Sequence, residues 1–256
     1  MQVTAVLLIL TVVVGIVVAL FGRLDPTSEQ QAADATGAPT PASTVRIEDS
    51  PYAQFIENST GSQISFFSLT DGFRTGTSTE RFARPALSLG KLYIAQYVME
   101  NGTEEEQETA TEMIRNSSDV AAEVLYEAYP ESIDEIADEY GLLSTRGEER
   151  WGYSMTSTYD LVRFVALLIE DDPESPILEA MRNASDVAED GYPQDWGTAV
   201  LDGVEGSKWG WSDDRMLHTS VSFGEGYVVA AATTGTRDDL TQLVENQLSE
   251  VVKEHS

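Results

Sequence analysis

Apolar and polar positions divide the chain into blocks of different period. Val3 to Phe21 is an uncharged run dominated by Val, Leu and Ile. At about 1.5 Å rise per residue such a run nearly spans a bilayer core, which predicts a transmembrane helix. No basic segment precedes it, so it reads as an uncleaved anchor or signal-anchor over residues 1–23. Residues 24–44 are rich in Ala, Thr, Pro, Gln and Asp with few large apolar side chains, the composition of a flexible linker. The folded domain is expected over 45–256.

Within that domain the period changes twice. Gln63 to Leu69 reads as a strand, Asp71-Gly72 as a turn and Phe73 to Phe82 as the hairpin partner. Helical spacing follows from Ser88 to Glu100, with Leu92, Ala95, Gln96 and Met99 on one side and Asn101-Gly102 ending it. Thr103 before Glu104, Glu105 and Glu106 is an N-cap with an acidic first turn, opening a helix to Ile114. Further helices fit 120–129, 132–140, 157–169 and 176–183, with Gly141 as a stop. From Val204 the pattern becomes β: 204–211, 217–223 and 227–233 read as strands, with Glu225-Gly226 as a turn. An amphipathic helix over 238–252 closes the chain. Strands at both ends with helices between them predict an α+β domain, an antiparallel sheet built from both ends and carrying a helical insert.

Charge narrows the partners. Forty-four acids against 15 bases give a net charge of −29, which argues against nucleic acid and against docking on anionic lipid. There is no cysteine, so disulfides and thiolate catalysis are excluded. His218 and His255 are the only histidines, which gives no basis for a histidine-built metal site, and no cofactor is expected. The chain holds three lysines, Lys91, Lys208 and Lys253, beside twelve arginines. A lysine kept in such a chain points to chemistry that arginine cannot do, because an ammonium gives up its proton when desolvated.

Two of those lysines sit in ordered motifs. Ser88-Leu89-Gly90-Lys91 reads S-x-x-K, Ser117-Ser118-Asp119 stands where S-D-N would, and Lys208-Trp209-Gly210 stands where K-T-G would. Each falls in a fitting predicted setting: a helix start, a helix end and a strand. On these residues, over roughly 63–252, the chain resembles the penicillin-recognising serine enzymes, class A β-lactamases most of all. The resemblance implies Ser88 as nucleophile, Lys91 as its base, Ser117 as proton relay and Lys208 as electrostatic support. It also implies substrate contacts at Asp119, Trp209, Gly210 and Trp211, with the N–H groups of Ser88 and Trp211 as oxyanion hole. Spacing agrees, since positions i and i+3 share a helix face and bring Lys91 beside the Ser88 hydroxyl.

The departures shape the functional expectation. An ionised Asp119 accepts hydrogen bonds only, where the family's asparagine also donates. Trp209 replaces a hydroxyl residue and is expected to close the subsite for a β-lactam carboxylate, with Arg215 as a substitute contact. Glu148 and Glu149 are the loop candidates for a deacylating glutamate. The stretch between the first two motifs is short, so the pocket roof is expected to be trimmed. The expectation is an extracytoplasmic serine acyl-transfer hydrolase acting on a β-lactam or a peptidoglycan-peptide-like amide. It would be monomeric, anchored in the cell membrane through residues 3–21, or secreted if that segment is cleaved. The rival is a catalytically weak or inactive binding or regulatory module of the cell envelope on the same fold.

Overall fold

Burial along the last three strands alternates between two helical layers, and this places the sheet at the centre of the domain. The computed structural model describes residues 61–256; the expected anchor, the expected linker and the first residues of the predicted domain lie outside the described residues. Among the described residues no helix is long and apolar enough to cross a membrane.

In chain order the elements are β1 (Gln63–Ser68), β2 (Arg74–Gly76), β3 (Arg84–Pro85), a 3-10 turn at Leu87–Leu89, α1 (Gly90–Asn101), α2 (Glu104–Asn116), α3 (Asp119–Ala128) and α4 (Ser132–Tyr140). A 3-10 turn at Trp151–Tyr153, β4 (Met155–Thr156), α5 (Thr158–Asp171) and α6 (Pro176–Arg182) follow. The chain ends with β5 (Val204–Trp211), β6 (Leu217–Gly224), β7 (Tyr227–Thr234) and α7 (Arg237–His255). The main sheet runs β2-β1-β7-β6-β5. Its pairings are antiparallel throughout, with Ser65 opposite Ala230 and Lys208 opposite Val221. The predicted α+β architecture, a sheet closed by both ends around a helical insert, is the one observed.

One face of the sheet packs on α7 through Ile64, Phe66, Tyr227, Val229 and Ala231. Leu240, Val244, Leu248 and Val252 meet that face at four-residue spacing, one row along the helix. The other face offers Val221, Phe223, Val228 and Ala230 to the helical core. Helix α1 lies inside that core: Leu92, Tyr93, Ile94, Ala95 and Val98 are fully buried. A helix apolar around most of its circumference is a central helix.

Local signals act as their chemistry requires. Thr103 and Glu106 form a reciprocal capping box at the start of α2. Gly141 ends α4 in the left-handed region at φ 62°. Two expectations are corrected. The hairpin partner predicted over Phe73–Phe82 pairs only at Arg74–Gly76, and the chain then turns at Thr77 and Glu80. Ser88 lies in the 3-10 turn ahead of α1 rather than in the helix itself. β3 pairs with β4 in a separate two-stranded sheet, and Ala86 N–H donates to Ser154 O at 2.8 Å. That ties the serine turn to the strand beneath the roof loop.

Candidate active site

Three separate segments deliver the motif side chains to one place. Leu87, just before the serine, is a non-glycine residue at φ 54° and only 4% exposed. Such a backbone persists only when its surroundings enforce it. Leu87 packs with Leu217 and Met216, while β5 presses in from the side. A Cβ added at Gly210 would lie 2.7 Å from Leu89 Cδ2 and 3.0 Å from Ser88 N. The glycine of the third motif is therefore what lets the edge strand approach the serine turn.

Ser117 caps the end of α2 at φ 54°, a left-handed residue between two helices, because Ser118 already serves as N-cap of α3. This kink turns its carbonyl and its hydroxyl toward two different lysines. Lys91 Nζ donates to Ser117 O at 2.7 Å, to Ser88 Oγ at 3.1 Å and to Asp119 Oδ1 at 2.6 Å. Those three donations use all three ammonium protons. Lys208 Nζ donates to Ser117 Oγ at 2.7 Å and to Trp209 O at 3.2 Å.

Both lysines are fully buried. Desolvation lowers the Lys91 pKa, opposed by the attraction of Asp119. Lys208 is held well below the ordinary lysine value by burial first and by the charge of Lys91 second. The indole of Trp151 covers Lys91 Nζ at 4.8 Å from the ring centroid.

A cleft of about 230 Å³ opens over this cluster. Leu87, Ser88 and Ser117 form its floor, Asp119 and Glu123 of α3 one wall, and Arg150 to Tyr153 the roof. Asp190, Trp211, Ser212 and Asp213 close the far side. A wider groove of about 590 Å³ lies between α2 and α3, lined by Glu105, Glu108 and Glu112, and has neither Ser88, Ser117 nor a lysine among its lining residues. The motif serines are in the smaller cleft.

Ser88, Lys91, Ser117, Asp119, Lys208 and Gly210 thus converge, and Trp211 reaches the rim with Nε1 donating to Asp190 Oδ2 at 3.0 Å. Trp209 does not face the cleft. It is 4% exposed, its Nε1 donates to Trp196 O at 2.8 Å, and its ring lies in the outer core with Leu240 and Val244. Successive strand side chains point to opposite faces, so Lys208 toward Ser117 sends Trp209 the other way. The expected closure of a carboxylate subsite by this indole is therefore withdrawn.

Arg215 does not itself line the cleft but pairs with Asp190, which does. Its Nη2 donates to Asp190 Oδ2 at 3.2 Å and its guanidinium lies 4.0 Å over the Tyr192 ring. The loop glutamates also miss the cleft: neither Glu148 nor Glu149 lines it, and Glu148 pairs with Arg146 at 3.2 Å. His218 is a buried strand residue between Gly235 O and the Tyr192 hydroxyl.

The sequence reading missed Glu123, Trp151 and Asp190. Glu123 had a signal, four residues beyond Asp119 on one helix. Asp190 reaches the cleft because the segment after α6 docks on the end of α2: Ser185 N–H donates to Arg115 O and Glu189 N–H to Asn116 O.

No protein-family model matches the chain, and no curated protein matches it in sequence. Solved structures do match. A halotolerant bacterial β-lactamase superposes with a TM-score of 0.60 at 15% identity, over 75% of this chain and 93% of that one. Penicillin-binding protein D2 from Listeria monocytogenes, in its cefotaxime-bound form, gives 0.56 at 18% identity, over 75% of this chain and 96% of that one. A D-alanyl-D-alanine carboxypeptidase from Mycobacterium tuberculosis gives 0.51 at 13% identity, over 69% of this chain and 83% of that one. With its sheet, its helical insert and its serine–lysine cleft, the chain has the fold of the serine β-lactamases and penicillin-binding proteins.

Proposed function

We propose that the chain is a serine acyl-transfer hydrolase of the cell envelope, acting on a β-lactam or a cell-wall-peptide-like amide. The observation that carries this reading is the pair of linked contacts, Ser88 Oγ to Lys91 Nζ at 3.1 Å and Ser117 Oγ to Lys208 Nζ at 2.7 Å. Lys91 in its neutral form takes the Ser88 proton as Oγ bonds to the substrate carbonyl carbon. Backbone N–H groups of Ser88 and Trp211, on the free edge of β5, receive the oxyanion. Ser117 relays the proton taken by Lys91 to the leaving nitrogen, the C–N bond breaks, and an acyl-Ser88 ester remains with Lys91 neutral again. Burial of Lys91 favours its neutral form, which the first of these steps needs. A tether through the apolar run at 3–21 would hold the domain outside the membrane.

The test is labelling of the full chain with a fluorescent penicillin and, in parallel, with a small activated acyl ester, followed by peptide mapping. The expected result is an adduct on Ser88 from at least one probe. No adduct from either class would overturn the reading.

One contact favours the rival of a weak or silent catalyst: Asp119 Oδ1 at 2.6 Å from Lys91 Nζ raises the pKa that burial lowers. Asp119→Asn separates the two readings. A general base must be unprotonated, so acylation rises with pH through the Lys91 pKa. Removing the carboxylate moves that rise to lower pH, because the attraction of Asp119 is what opposes the lowering by burial. At pH 7 the variant should therefore label faster than the wild type. An unchanged pH midpoint in labelling rate would show that Lys91 is not the base.

A further inference from the structure

We propose that Glu123 is the catalytic base that hydrolyses the acyl-Ser88 ester. This rests on the serine acyl-transfer reading and adds to it the group that activates water. An acyl-serine ester on a buried turn is released only if a base takes a proton from an incoming water.

Four carboxylates line the cleft: Asp119, Glu123, Asp190 and Asp213. Asp119 is committed to Lys91 at 2.6 Å. Asp190 is committed to Trp211 and Arg215 on the far side. Asp213 follows β5, on that same far side. Glu123 alone stands on the wall formed by α3 and the roof without a cation partner among the described residues.

Glu123 is exposed and is held over the cleft by one hydrogen bond. It lies one helical turn beyond Asp119, so both side chains project from one face of α3 over the cleft. Trp151 Nε1 donates to Glu123 Oε2 at 3.1 Å, while the same indole covers Lys91 Nζ at 4.8 Å. Lys91 in turn reaches Ser88 Oγ at 3.1 Å. One roof residue thus holds the carboxylate and the nucleophile's lysine in register. The hydrogen bond uses one carboxylate oxygen, and Oε1 has no protein partner among the described residues.

The step balances as follows. Glu123 takes one proton of the water as its oxygen bonds to the acyl carbon. The Ser88 Oγ–carbon bond breaks, the acid leaves, and the proton taken by Glu123 is returned to Ser88 Oγ.

The experiment is stopped-flow turnover of a chromogenic activated acyl ester by the full chain, read as a burst for acylation and a steady state for deacylation. Intact-protein mass would report the Ser88 adduct. In Glu123→Gln the burst rate should stay within about twofold while deacylation slows by about 10²-fold, the usual loss for a removed general base. The adduct should then accumulate. Deacylation should partly return in Glu123→Asp, which keeps the carboxylate on a shorter stem, with the burst again unchanged. Burst and steady state falling together would assign Glu123 a structural role and overturn the proposal. So would wild-type deacylation in Glu123→Gln, or a wild-type chain that is acylated and never turns over. A wild-type chain without any Ser88 adduct would instead overturn the serine reading itself, and this step with it.

Discussion

Ser88→Ala is expected to abolish covalent labelling and to lower kcat/KM for an activated acyl ester by about 10³-fold or more, the scale seen when a serine nucleophile is removed. The size follows from what the hydroxyl does. It supplies the bond-forming atom, and the second lysine, Ser117 and the cleft walls have nothing to act on without it. The substitution should leave the fold alone. Ser88 is 9% exposed, and its loss removes a single oxygen that accepts from Lys91 at 3.1 Å. Lys91 keeps Ser117 O and Asp119 Oδ1 as acceptors, so no buried ammonium is stranded. Thermal unfolding should accordingly match the wild type. Labelling that persists in a folded Ser88→Ala chain would place the reactive group elsewhere and remove the case for acyl transfer at this cleft.

How much of this site could be read from the chain depends on how local each constraint is. Ser88 and Lys91 were legible because an i, i+3 pair on a helix start is fixed by helix geometry alone. Ser117 was legible as a helix end, and Lys208 as a strand residue. That they meet is a matter of topology: β5 is the sheet edge, and Gly210 lets it close on the serine turn. The resemblance supplied that meeting; periodicity did not.

The failures have physical causes too. Glu148 and Glu149 were chosen from a loop, and a loop's path is set by what it packs against. Here Tyr126 Oη donates to Glu148 O, and the Gly147 N–H donates to Asp134. Those contacts carry the two glutamates away from the cleft and leave Arg150 to Tyr153 as the roof. Trp209 is different, because its direction was available. A strand alternates, and once Lys208 is assigned to the cleft its neighbour belongs to the other face. Matching Trp209 to a hydroxyl by motif position overrode that simple count.

Trp209→Thr, the substitution that would restore the third motif, should therefore act on stability and not on ligand choice. The indole is 4% exposed and sits among Ile64, Trp196, Leu240 and Val244 between the sheet and α7. Emptying a buried Trp site costs about 3–5 kcal/mol in lost transfer energy and residual cavity. Trp196 O would also lose the donor it now has at 2.8 Å, a polar group left under-bonded in a closed core. Against a total of about 5–15 kcal/mol for a domain, that is a large fraction of the folding free energy. Urea unfolding should show a strongly lowered midpoint with a slope near that of wild type. The folded fraction should label at Ser88 at the wild-type rate, because Lys91, Ser117 and Lys208 lie on the other side of the sheet edge from the new cavity. A threonine that left the midpoint within about 1 kcal/mol of wild type and created penicillin binding would mean that the indole occupies the cleft after all.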